Sequence, residues 1–534
     1  MTEMVLLGDE AVALGAIHAG LTAAYAYPGT PSTEVLEYAL GYAARNGRPH
    51  ATWCSNEKTA YEEALGVSFA GRRALVAMKH VGLNVAADPF MNSAIVDITG
   101  GLVVAVADDP GMHSSQNEQD SRYYADFGRV ICLEPANQQE AYEMTREAFD
   151  LSERFHIPVM IRLVTRLAHS RAIVRVAEAR PENPLHKAAG GPAWTLLPAN
   201  ARRQWHDLLG RQQDFTAYTA ATPHNVLALN PASHELGVIT TGIARNYYVE
   251  NLDDLDERPS HLHVGAYPLP VEKIRALVAH VRKVLVLEEG YPFLERYLRG
   301  LLAPGVVMLG KESGEVPADG ELTPDIVRQA LALKVRDGVR IDGVALPNRP
   351  PQLCAGCPHG DSFDALKQAL AGIEAPVVTS DIGCYTLAAL PPYSAVQSCV
   401  CMGASIGMAK GASEAGLRPA IAVIGDSTFL HSGVTPLMDA VAADTDMTLL
   451  ILDNEAVAMT GGQQTILPSS RLESLVAGLG VPREHLHVLS AHPKHTDKNA
   501  EIIRKEIAHP GLSVIIAVRE CVETVKTKKR AEHS

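Results

Sequence analysis

Asp426 and Asn454 close two short apolar runs, "PAIAVIGD" and "MTLLILDN", and could offer one carboxylate and one amide oxygen to a hard cation. Mg²⁺ typically takes one or two protein carboxylates together with phosphate oxygens and water. The pair therefore points to a Mg²⁺ that holds a phosphate-bearing cofactor. Gly425 and Ser427 flank the acid and leave backbone and hydroxyl donors to face phosphates. The competing reading is an Asp and an Asn that only cap loops, which both residue types do well.

The cysteines carry a second signal. "LCAGCPHG" sets Cys354 two residues before Cys357, with Pro358 next; Cys384 stands in "SDIGCY" past the strand "APVVTSDI"; Cys521 closes "LSVIIAVREC". Four cysteines at strand ends and loops of one block could meet around one metal centre. A four-thiolate zinc site and an iron–sulfur cluster both use a C-x-x-C knuckle, and the Cys-Pro step leans modestly to iron–sulfur. Against both stands the bland reading of Cys521 as a buried small hydrophobe.

These residues need elements to place them. "PAIAVIGD" and "MTLLILDN" read as buried parallel strands, and "SGVTPLMDAVAAD" between them has apolar residues at helical spacing. A strand–helix–strand crossover makes the two strands parallel, so Asp426 and Asn454 emerge together at the carboxyl edge, where open α/β sheets bind ligands. Three α/β blocks follow along the chain. The first, from Met1 to about Thr165, alternates strands such as "RALVAM", "GLVVAVAD" and "PVMIRLV" with helices such as "TAYEEALGVSFAG". "ARPENPLHKAAGGPAWTLLPAN" reads as a linker, and a short polar helix is expected around "ARRQWHDLLGRQQDF". The second block runs from about Leu236 to Lys311, and the Pro-rich "ALPNRPPQL" leads into the third.

The chain has 534 residues, room for roughly three or four domains. A net charge of −14 argues against nucleic acid as a partner, and no apolar run is long enough to insert in a membrane. The N-terminus lacks the basic start and small-residue cleavage site of a signal peptide, and eight cysteines are too few for a disulfide scaffold of this length. A cytoplasmic protein is expected.

In order along the chain, "YPGTPSTE", "SNEKTAYEEALGVSFAGRRALVAMKHVGLNVAADP", "LCAGCPHG", "DIGCYTL", "CMGASIGMAKG", "GDSTF" and "LDNEAVAMTGGQ" resemble the large subunit of indolepyruvate:ferredoxin oxidoreductase. That is a branch of the thiamine-diphosphate-dependent 2-oxoacid:ferredoxin oxidoreductases, and the likeness runs from about Met4 to Cys521. The resemblance implies an α/β thiamine-diphosphate-binding fold: two doubly wound, mostly parallel-sheet domains plus a smaller transketolase C-terminal-like α/β domain. The expected divisions are 1–175 pyrimidine-binding, 176–235 linker with short helices, 236–340 transketolase-like, 341–526 diphosphate-binding with the proximal cluster, and 527–534 a basic tail.

The same resemblance implies roles for residues. Asp426, Asn454 and the carbonyl of Ala456 would ligate Mg²⁺; Gly425, Ser427, Met402, Gly403, Gly461 and Gly462 would line the cofactor. Glu57 would meet the aminopyrimidine ring, where a carboxyl favours the imino tautomer and so prepares the proton transfer from thiazolium C2; an exposed helix-start Glu is the bland alternative. Thr30 would face the 2-oxo acid; apart from the resemblance, Lys79 and His80 follow the strand "RALVAM" and could meet the substrate or the thiazolium, and His113, Ser115 and Gln116 in the polar loop "GMHSSQNEQDSR" could bind a carboxylate or simply solvate the loop. Cys354, Cys357, Cys384 and Cys521 would hold one [4Fe–4S] cluster, while Cys54, Cys132, Cys399 and Cys401 have no ligand role, the last two packing near the cofactor.

The implied reaction is oxidative decarboxylation of a 2-oxo acid to acyl-CoA and CO₂, with coenzyme A as co-substrate and electrons leaving through the cluster. Met459, where pyruvate-specific relatives carry Asn, suggests an aryl pyruvate such as indolepyruvate. The chain ends "ECVETVKTKKRAEHS" with no cysteine after Cys521. The ferredoxin-like domain usual in this branch is therefore not expected here. The expected partners are a small β/γ-type catalytic-partner subunit and a separate ferredoxin or electron-transfer subunit, in a heterotetramer or larger assembly. A non-redox thiamine decarboxylase would need no cluster, and a scaffold subunit with a structural zinc would need no Mg²⁺ site.

Overall fold

The computed structural model describes residues 2–188, 191–302, 304–338 and 351–532. It divides into two compact units, Met1–Arg340 and Ile341–Ser534. The expected division at 340–341 and the first part of the Pro-rich lead, 345–350, lie outside the described residues.

The first unit contains a seven-stranded sheet in the order Ala266–Tyr267, Cys132–Leu133, Val159–Val164, Leu102–Asp108, Ala74–Lys79, Ala23–Ala26, His50–Trp53. All neighbours are parallel except the first pair. Strands such as Ala74–Lys79 and Leu102–Asp108 are buried along their whole length, as expected when helices cover both faces of a parallel sheet. The helix Gln138–Phe155 shows how the covering forms: Asn137 caps it by accepting from the Glu140 amide at 2.9 Å, and its apolar stripe is buried. A second sheet runs Val307–Leu309, Lys283–Leu287, Leu236–Thr241, Ser260–Val264, Asn225–Ala228, parallel except for its last pair.

Segment 176–235 differs from the expected linker. It contains a 24-residue helix, Pro198–Ala221, that buries Leu208 and Phe215 in the core of the unit, and the strand Asn225–Ala228 edges the second sheet. The helix is polar over most of its surface and buries only a narrow face, so its length left little periodic trace.

The second unit has one all-parallel sheet, ordered Val377–Thr379, Ala420–Gly425, Met447–Asp453, Leu512–Val518, Leu486–Ser490. Alternate strand residues feed two cores. Val423, Leu450 and Ile515 pack with Phe363 and Leu366 on one face; Ile424, Leu449 and Val514 pack with Ile406 and Leu437 on the other. The stretch expected as a basic tail starts as helix, Val522–Glu532. No helix among the described residues is long and apolar enough to cross a membrane.

Candidate functional site

In the second unit, the strands ending at Gly425 and Asp453 are parallel neighbours, with Gly425 opposite Leu452. Asp426 and Asn454 therefore do leave adjacent carboxyl ends. Asp426 opens a helix that runs to Ala442 and whose segment Phe429–Gly433 is wound as a π-turn, a feature common at functional sites. Asp426 is buried, and its carboxylate accepts from the Ser427 amide at 2.8 Å and the Glu455 amide at 2.9 Å. Glu455 sits at φ 58°, a left-handed conformation costly for a non-glycine residue, and this aims its amide at Asp426 and, at 3.2 Å, at Asp453.

Asp453 was missed by the sequence reading, although it stands in the same "LDN". It is buried, its Oδ2 has no partner, and burial of Asp426, then the charge of Asp453, pushes the Asp426 carboxyl well above the usual range. Neither acid is paired with a lysine or arginine among the described residues. Two buried, adjacent carboxyls with a free oxygen and no protein cation fit a hard divalent ion. The amide of Asn454 is oriented by His359, whose Nε2 lies 3.1 Å from Asn454 Nδ2. Burial and Arg519 depress the His359 pKa to about 4, so the neutral ring can accept from the Asn454 amide, whose oxygen accepts from the Ala456 amide at 3.2 Å.

The four predicted cysteine ligands lie around this loop. Cys521 donates its backbone amide to the Asn454 carbonyl at 3.0 Å, and Cys357 is two residues before His359. Cys384 precedes Tyr385, whose ring lies against Gly425 so closely that a Cβ there would stand 2.7 Å from it. Burial, then the neighbouring Cys357, Cys521 and Cys354, push the Cys384 thiol up to about 12, so the four thiols share one neighbourhood. Among the described residues, no three of these sulfurs come within 4.8 Å of one another. Four thiolates on one zinc, at about 2.3 Å each, would stand about 3.8 Å apart. Cys399 and Cys401 are exposed in the loop before the helix Ala404–Glu414. Cys54 and Cys132 are buried in the first unit.

Other expected cofactor contacts fall nearby in the chain. Gly403 caps the helix Ala404–Glu414 at φ 82°, Gly461 and Gly462 turn at φ 129° and 84°, and Met459 is exposed. Asp381 was also missed: burial raises its carboxyl to about 6, and it accepts from Ser405 Oγ at 2.6 Å and from the Tyr385 hydroxyl.

In the first unit, Lys79 ends its strand and Thr30, Glu57 and Asp109 stand just past the carboxyl ends of three others, the four strands being adjacent and parallel. Glu57 is buried, which removes the exposed helix-start alternative. Gly82 packs against it: a Cβ there would lie 2.6 Å from Glu57 Oε1, so only glycine admits this approach. Lys79 donates to the Ser114 carbonyl at 3.0 Å; burial lowers its pKa, opposed by Asp109 and Glu57. Asp109, missed in "ADDP", ties the loop Gly111–Arg122 down by accepting from Ser115 Oγ at 2.7 Å and the Ser114 amide at 2.8 Å. Ser115 is thus committed to Asp109. His113 lies 3.6 Å from Glu321, and Gln116 is exposed. His80 is buried, with Nε2 3.1 Å from the Asn117 carbonyl and Nδ1 without a partner. The Thr30 carbonyl accepts from Ser114 Oγ at 3.2 Å.

Residues 14–227 match the family described as "Pyruvate flavodoxin/ferredoxin oxidoreductase, thiamine diP-bdg", and residues 381–517 match "Thiamine pyrophosphate enzyme, C-terminal TPP binding domain". The class is that of thiamine-diphosphate-dependent 2-oxoacid oxidoreductases. The chain is 36% identical to indolepyruvate oxidoreductase subunit IorA of Archaeoglobus fulgidus, over 99% of this chain and 88% of that protein. It is 35% identical to the subunit of the same name from Thermococcus kodakarensis, over 97% and 86%. The protein belongs to the family of these indolepyruvate oxidoreductase IorA subunits. A solved 2-oxoglutarate:ferredoxin oxidoreductase from Magnetococcus marinus, with 2-oxoglutarate, coenzyme A and succinyl-CoA bound, shares the fold at a TM-score of 0.51 and 18% identity, the match covering 62% of this chain and 65% of that one.

Proposed function

We propose that the chain is the large subunit of an enzyme that oxidatively decarboxylates an aryl 2-oxo acid such as indolepyruvate to its acyl-CoA and CO₂, and passes the electrons through a [4Fe–4S] cluster to ferredoxin or a partner carrier. The gathering of Cys354, Cys357, Cys384 and Cys521 beside the Asp426–Asn454 loop carries this reading. Thiamine diphosphate, when bound, supplies the electron sink that lets a 2-oxo acid lose CO₂. Asp426, Asn454 and the Ala456 carbonyl would hold Mg²⁺ on its diphosphate, with Gly425, Ser427, Met402, Gly403, Gly461 and Gly462 lining the group. Glu57, kept dry and fixed by Gly82, would hold a proton at the pyrimidine ring. Thr30 and the unpartnered Nδ1 of His80 would contact the substrate, and Met459 would favour an apolar side chain.

On this reading 1–175 binds the pyrimidine, 236–340 is transketolase-like and 341–526 binds the diphosphate. The enzyme works in the cytoplasm with a small catalytic-partner subunit and coenzyme A, in a heterotetramer or larger assembly. The test is product analysis: the anaerobically co-purified assembly, given indolepyruvate, coenzyme A and an acceptor dye, should form acyl-CoA and reduced acceptor together. Aldehyde and CO₂ with no acceptor reduction would assign a non-redox decarboxylase instead.

A further inference from the structure

Three elements of the first unit, all apart from the strand-end residues described above, converge on one point. Asp9 lies in the first turn of the helix Gly8–His18, Glu34 in the first turn of Thr33–Asn46, and His169 at the end of Thr165–His169. One ligand atom from each lies within 4.8 Å of both others. The approach is built into the backbone: a Cβ at Gly8 would stand 2.2 Å from the Leu167 carbonyl oxygen, so only glycine lets the first helix come close enough to set Asp9 beside His169.

Asp9 is the informative member. It is wholly buried, and neither of its carboxylate oxygens has a hydrogen-bond partner. A carboxylate removed from water without a partner is strongly disfavoured. Something must satisfy it. Two occupants are chemically able to do so: a proton shared with Glu34, or a cation. A shared proton would account for the two carboxyls, with His169 paired to Glu34; a cation would be met by all three side chains at once. His169 Nε2 lies 3.3 Å from Glu34 Oε2. That matches the separation of two ligands on a tetrahedral ion with bonds of about 2.0–2.1 Å, which is about 3.3 Å. The side chains of Glu34 and His169 remain 34% and 33% exposed, which leaves an entry path and an open coordination position.

We propose that Asp9, Glu34 and His169 form a divalent-cation site. One imidazole with two carboxylates suits a first-row ion such as Zn²⁺ better than Mg²⁺ or Ca²⁺, which prefer all-oxygen sets. The site would join the starts of two helices to the end of a third, just after the turn that carries Thr30. It does not depend on the thiamine reading, because none of its three residues belongs to that machinery.

The test titrates Zn²⁺ into the anaerobically prepared full chain, already saturated with Mg²⁺ and thiamine diphosphate, and counts bound zinc by elemental analysis after gel filtration. Asp9→Asn and His169→Gln are compared with wild type; His169 is near the surface, so its variant tests the site even where Asp9→Asn disturbs folding. Each variant is expected to bind one zinc fewer than wild type. Crystals soaked in Zn²⁺ should show an anomalous peak between the three side chains at the zinc edge. Equal zinc counts in wild type and His169→Gln, or no anomalous peak at this point, would overturn the proposal and leave a proton shared by Asp9 and Glu34.

Discussion

Both units bury acids at the carboxyl ends of parallel strands, but the acids are satisfied differently. In the first unit Asp108 ends one strand and Glu134 and Glu288 follow two others, and protein cations meet them. Arg162 reaches Asp108 at 2.6 Å and Glu134 at 2.5 Å, and Arg122 reaches Asp120 at 2.5 Å and Glu288 at 2.9 Å. In the second unit Asp426 and Asp453 have backbone amides and each other, and no lysine or arginine among the described residues. Internal arginines mark architecture, whereas acids left without a cation mark a place that a ligand completes. The contrast is not about burial, which is nearly total in both.

The largest effect that would break this contrast is at Asp426. Asp426→Ala should abolish thiamine-diphosphate binding in the presence of Mg²⁺, read by calorimetry, while the ligand-free protein still unfolds cooperatively, its loss of two amide contacts partly offset by relief of the repulsion from Asp453. Unaltered affinity would return Asp426 to a loop cap. Glu57→Gln keeps volume and loses the carboxyl, so exchange of the thiamine C2 proton should slow by about 10²–10⁴-fold. Exchange at the wild-type rate would take Glu57 out of the chemistry.

Arg162→Met is the counterpart on the architectural side. It strands buried acids and should destabilise the first unit by about 3–5 kcal/mol in denaturant unfolding. A neutral result would mean that water or protons already balance those acids. The smallest effect concerns Glu289, which burial raises from the ordinary 4.5 to about 7 despite Lys311. Its protonated form is favoured in the folded state, so its stabilising contribution is complete below pH 4.5 and is lost as pH rises towards about 7. Glu289→Gln stays neutral, and its melting temperature should fall less than that of wild type over that window; parallel pH profiles would refute the shift.

The two sides of the contrast were not equally legible in the sequence. Asp426 and Asn454 could be read because each ends an apolar run, so position along the strand alone puts them at the ligand edge. The cysteines could be paired with that edge because their spacing and Cys-Pro step are chemical signals. Asp453, Asp381 and Asp109 were not singled out, since an acid at a strand end looks the same whether it is partnered, shared or free. The Arg122–Arg162 network was invisible for a related reason: its members are far apart in the chain, and an arginine inside "PVMIRLV" gives no hint of which acids it will meet. Gly82 shows the limit most plainly, because its need for glycine comes from a glutamate 25 residues earlier pressing on it.

What the four thiols of the second unit hold decides between electron transfer and a merely structural centre. Iron and acid-labile sulfide, measured on the anaerobically purified chain with a visible spectrum, test this most directly. A [4Fe–4S] cluster predicts about four irons and four sulfides per chain, with broad absorbance near about 400 nm that is lost in Cys521→Ser. One zinc per chain, no sulfide and no such absorbance would contradict it.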